Sequence, residues 1–117
     1  MRKRNPIVWV TQIPHHRDAI TGMRVPRINI SPAAAHGAVQ VMLPPDVNFF
    51  ATEGLISQMR TALQDYDHAA GDSVLALGDP AVCAVVGAIL SEQSDAFVLL
   101  RWDRHIEQYV RVEIKLN

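Results

Sequence analysis

The chain has 117 residues, 49% of them hydrophobic and 20% charged, with a net charge of −1. That suits one soluble domain, long enough to bury a core without crosslinks. One cysteine, Cys83, rules out an internal disulfide and any multi-cysteine zinc site, and no apolar run nears the ~20 residues that span a bilayer.

The start, "MRKRNPIVWVTQIPHH", is basic and then briefly apolar. It lacks the longer apolar region and small-residue cleavage site of a secretory signal, so a cytosolic protein is expected. Residues 1–30 carry Arg2, Lys3, Arg4, Arg17, Arg24 and Arg27 against Asp18 alone, a balance of +5, while residues 31–117 balance at −6. The basic part faces either an anionic partner or the acidic remainder of its own fold or of a sister subunit.

"IVWVTQI" (7–13) reads as a strand. "RDAITGMRVP" (17–26) holds Thr21-Gly22 between extended flanks and predicts a hairpin or wide turn, with "VPRINIS" (25–31) as the returning strand. Pro14 and Pro26 lack N–H donors, which points to edge or short strands. "AVQVML" (38–43) is a strand stopped by Pro44-Pro45. Thr52 suits an N-cap, and Leu55, Ile56, Met59, Leu63 and Tyr66 recur at helical spacing. "DYDHAAGD" (65–72) reads as a polar loop, and "SVLALG" (73–78) as an interior parallel strand. A helix follows over about 80–92, then the strand "AFVLLRW" (96–102), a turn at 103–108, and the alternating edge strand "YVRVEIKL" (109–116).

The expected fold is α/β: a small mixed sheet with two helices, in the order β-hairpin then β-α-β-α-β-β. Residues 1–117 form one domain, with 1–31 as a basic ribbon or arm and 38–116 as the core. Right-handed crossovers make the strands at 38–43, 73–78 and 96–102 parallel. On the second helix Val82, Val85, Val86, Ile89 and Leu90 share one face, opposite Ala81, Ala84, Gly87 and Ala88. Because glycine in mid-helix costs ~1 kcal/mol relative to alanine, the small face is a candidate for close packing or oligomer contact.

Gly78-Asp79-Pro80 has a structural explanation: a sharp turn, an N-cap, and proline at the first helical position. It also has a positional one, because ligands of open parallel sheets gather at the carboxyl ends of the strands. Asp46, Asp79 and Asp103 each follow a predicted strand and form a candidate acidic site for a divalent metal. "LALGDPAV" is similar to the aspartate strand-turn of the toprim fold, but Ala81 stands where that family has a second aspartate. No GxxxxGK[ST] or GxGxxG follows a strand, so no cofactor is expected. His15 and His16, adjacent on a strand, point to opposite faces and cannot share a metal. Buried among apolar neighbours, Cys83 is expected to be structural.

The candidate binding surface is therefore Arg2, Lys3, Arg4, His15, His16, Arg17, Arg24 and Arg27, since a β-ribbon bearing arginines can track phosphates or enter a DNA groove. The succession "HHRDAITGMRVPRINISPAAAHGAVQVMLPP", "VLALGDPAV" and "LLRWDRHIEQYVRVEIKL" resembles short bacteriophage proteins of unknown function over roughly 12–116. The resemblance implies a phage origin, the host cytoplasm, and an accessory role in binding a host protein, a phage protein or nucleic acid. Two alternatives stand beside it: a small metal- or nucleotide-dependent enzyme using the three aspartates, and a homo-oligomeric structural subunit.

Overall fold

A computed structural model describes residues 4–45 and 52–116. The strands are β1 (Ile7–Gln12), β2 (His15–Arg17), β3 (Arg24–Pro26), β4 (Ala38–Leu43), β5 (Ser73–Leu75), β6 (Ala96–Asp103) and β7 (Gln108–Lys115). The helices are α1 (Thr52–Leu63) and α2 (Pro80–Gln93), and a 3₁₀ turn covers Ser31–His36. Five strands form one sheet in the order β4-β1-β5-β6-β7; β2 and β3 form a separate two-stranded ribbon. All neighbours in the large sheet are parallel except β6 and β7. No helix among the described residues is long and apolar enough to cross a membrane.

The mixed α/β fold and the order of its elements from β4 onward follow the sequence reading. The first strand does not. β1 is not part of an N-terminal hairpin arm: it lies between β4 and β5 and bonds to both. Pro14 does not prevent this, because the ladder ends at Gln12 opposite Leu43 and the missing N–H falls beyond it. The returning strand is also shorter than 25–31. β3 stops at Pro26, and Arg27 N donates to Pro14 O at 2.8 Å.

Both faces of the sheet carry a core. On one side Trp9, Met42, Leu43, Val74 and Phe97 meet Leu55, Met59 and Leu63 of α1 and Val82, Val86, Ile89 and Leu90 of α2. On the other, Val8, Val10, Leu75, Leu100 and Tyr109 meet Ala33 of the 3₁₀ turn. The β1-to-β4 connection crosses one face toward one edge, and the α1 and α2 connections cross the other face toward the opposite edge. Each crossover is then right-handed, and the direction of winding reverses between β1 and β5.

One buried carboxylate ties the N-terminal segment to this frame. Asp72, fully buried just before β5, accepts from Trp9 Nε1 at 2.9 Å, Ile7 N at 2.9 Å and Asp67 N at 3.0 Å. Arg4 adds a two-pronged bond, Nη1 to Oδ1 at 2.7 Å and Nη2 to Oδ2 at 2.5 Å. Burial by itself would raise the Asp72 carboxyl, but the donors outweigh it, Arg4 and Trp9 foremost, and hold it below the usual carboxylate range. The Tyr66 hydroxyl accepts from Val98 N at 3.0 Å and donates to Asp72 O at 3.3 Å, joining the start of β6 to this network.

Candidate interaction surface

The ribbon β2–β3 pairs His15 with Pro26, His16 with Val25 and Arg17 with Arg24. Its turn is built by internal bonds. Asp18 N donates to Met23 O at 2.8 Å, Gly22 N donates to Asp18 O at 2.9 Å, and Asp18 Oδ1 accepts from Ile20 N at 2.8 Å. Thr21 Oγ1 accepts from Met23 N at 3.2 Å. Gly22 has φ of 71°, the left-handed region where glycine carries no Cβ penalty. The "DAITGM" segment therefore forms an ordered loop, and it holds two large apolar side chains in water. Ile20 is 95% exposed and Met23 67%.

The basic residues divide. Arg4 is exposed, but its guanidinium is committed to Asp72, because the strand that follows it enters the centre of the sheet and carries Arg4 to the buried carboxylate. Arg2 and Lys3 lie outside the described residues. His16, Arg17 and Arg24 are exposed on the ribbon. His15 turns Nδ1 to Ile13 O at 2.7 Å, which makes that nitrogen the donor. Arg27 sits past the ribbon, where it lines a crevice of about 590 Å³ with Gln12, His15, Pro45, Gly78 and Asp79.

That crevice lies outside the carboxyl ends of β1, β4 and β5, at the point where the winding reverses, the position where open α/β sheets take ligands. Of the described aspartates of the candidate acidic site, Asp79 lines it and Asp103 does not. The Asp79 carboxylate caps α2, accepting from Ala81 N at 2.7 Å, with Pro80 next at the first helical position. Asp103 stands at the end of the neighbouring strand β6 and accepts from His105 N at 2.9 Å. Asp46 lies outside the described residues, among which no cluster of three His, Cys, Asp or Glu side chains could hold a metal. Gly78, with φ of 91°, brings the chain against Gln12, and a Cβ there would collide with the Gln12 amide.

The small face of α2 is largely exposed among the described residues. Ala81, Ala84 and Ala88 are exposed, and a Cβ built on Gly87 would have no heavy atom within 4 Å. Among the described residues, close approach by another part of this chain is thus not the reason for Gly87. Burial raises the Cys83 thiol, as does nearby Asp79, and its Sγ points to Leu77 O at 3.7 Å. That environment disfavours the reactive thiolate form.

Sequence reasoning missed two features. Ile20 and Met23 fall in a segment read as a turn, where the anomaly of large apolar residues between Asp18 and Arg24 was the available signal. Trp102, 42% exposed, stacks edge-on against Tyr109 at 5.0 Å beside a groove of about 690 Å³ whose floor includes Leu75, Leu77 and Leu100. That groove follows from β5 ending at Leu75 while β6 runs on to Asp103.

A family model described as "Phage Pam3 gp32-like protein" matches residues 6–116, in accord with the resemblance to short phage proteins. No curated protein and no solved structure matches the chain significantly.

Proposed function

The chain belongs to the phage Pam3 gp32-like protein family, and from that premise we propose that it is a non-enzymatic phage accessory protein. It acts in the host cytoplasm by binding, with the β2–β3 ribbon as its contact surface. The observation that carries this reading is Ile20, 95% exposed on an internally bonded loop, with Met23 beside it and Arg17 and Arg24 behind. Holding an isoleucine in water forgoes ~1.5–3 kcal/mol of burial, which a partner's pocket would recover. An apolar anchor with a cationic rim fits a host or phage protein that offers an apolar pocket bordered by carboxylates.

Nucleic acid is the second reading. Arg17, Arg24 and Arg27 share one short segment, and ribbons carrying cations with an apolar tip can enter a groove and wedge between base steps. The test compares wild type with an Ile20→Ser/Met23→Ser variant and with an Arg17→Glu/Arg27→Glu variant, in capture from host lysate with and without nuclease. Loss of the same partner in both variants, insensitive to nuclease, is the expected result. Capture at wild-type level by both folded variants would refute the choice of surface. Binding to duplex DNA that weakens with salt at a log–log slope of about −0.9 per phosphate contact would select the second reading.

A further inference from the structure

The large sheet has two edges that differ in kind. The β7 edge is laced with charge: Arg111, Glu113 and Lys115 alternate along it and are exposed. Such charges discourage pairing with a second strand. The β4 edge, "AVQVML", carries no charge and no proline. Ala38, Val39, Gln40 and Val41 are all exposed, Val39 at 37% and Val41 at 42%.

The hydrogen-bonding row of this edge is open. Ala38 N donates to Pro6 O at 3.1 Å, on the side of β1. Backbone direction alternates along a strand, so Gln40 and Met42 also face β1 while Val39 and Val41 send N–H and C=O outward. Among the described residues β4 is an edge strand that pairs with β1 alone, so neither outward N–H meets a neighbouring strand. Exposed apolar side chains and an unpaired backbone row thus coincide on one six-residue strand.

We infer that β4 is a homodimer contact, at which two copies pair their β4 edges antiparallel into one continuous sheet. The strand is complementary to itself. A two-fold axis through Gln40 sets Val39 of one copy against Val41 of the other, and these are the residues whose outward groups exchange both bonds in an antiparallel pair. The same register aligns valines with valines on one face and brings the two Gln40 amides together on the other. With no charge on the strand, self-pairing brings no like charges face to face. A second copy is therefore the occupant this edge fits, and the contact is separate from both the ribbon and the α2 face.

The test is the solution mass of the full chain by sedimentation equilibrium or light scattering, at micromolar concentrations. Wild type is expected at twice the 13.0 kDa chain mass. Val41→Lys and, separately, Val39→Lys should reduce it to a monomer with unchanged circular dichroism, since both side chains are exposed. Val112→Lys on β7 should leave the dimer intact. In wild type the Val39 and Val41 amides should become protected from hydrogen exchange as concentration rises, a readout that does not depend on any variant folding. A monomeric wild type overturns the inference, as does a dimer that survives both lysine variants or is lost instead on Ala84→Glu.

Discussion

Removing the Asp72 carboxylate tests the account of how the N-terminal segment is held. In Asp72→Ala, the Trp9 indole N–H loses its acceptor inside the core, where Trp9 is 2% exposed. An unsatisfied buried donor costs ~1–3 kcal/mol. Ile7 N and Asp67 N lose theirs in half-buried surroundings that water can partly reach, so each belongs at the lower end of that range. The Arg4 guanidinium is 36% exposed and can rehydrate, so its Coulomb contribution is small. The total loss is about 3–4 kcal/mol, a large share of the ~5–15 kcal/mol typical of a domain. Urea unfolding followed by circular dichroism and by tryptophan fluorescence measures it.

The pH dependence is a second arm of the same test. The carboxyl is held below its ordinary value of 3.8 in the folded state. Its stabilisation is therefore complete above that value and is lost as pH falls through the lowered folded value. Asp72→Asn removes the titration while keeping the shape. Wild type should lose stability below about pH 4 faster than Asp72→Asn, and the gap between them should narrow with acid. A loss under ~1 kcal/mol in Asp72→Ala, or pH curves that run parallel, would refute the reasoning.

Asp79→Ala should cost ~1 kcal/mol through the lost α2 cap, read by thermal melting, with partner capture retained. Gly78→Ala should be worse, by about 2 kcal/mol, because φ of 91° disfavours a Cβ that would also strike Gln12. Gly87→Ala should stabilise by up to ~1 kcal/mol, since nothing lies within 4 Å of the added methyl; destabilisation would reveal a close neighbour from a second copy. Asp103→Asn should be nearly silent in the same melts, because asparagine can also accept from His105 N.

Features set by local chemistry are legible in the sequence. Alternation marked β7, and Pro44-Pro45 marked the end of β4. Spacing of Leu55, Met59 and Leu63 marked the buried face of α1, and Gly78-Asp79-Pro80 announced the start of α2, as the 2.7 Å cap bond bears out. These signals lie within a few residues of each other, so periodicity and capping reveal them. The rest depends on contacts between distant segments. "IVWVTQ" is as apolar at an edge as at the centre; its central place depends on meeting Ala38–Leu43 on one side and Ser73–Leu75 on the other. Arg4 and Asp72 are both ordinary charges in polar stretches. Only their meeting across 68 positions turns one into a buried carboxylate and the other into its half-exposed partner. The hairpin's apolar tip was written in "DAITGM", but its exposure is a property of where the ribbon ends relative to the sheet. Strand order, burial and pairing arise from contacts between distant segments, whose free energies belong to the assembled fold and not to any window of sequence.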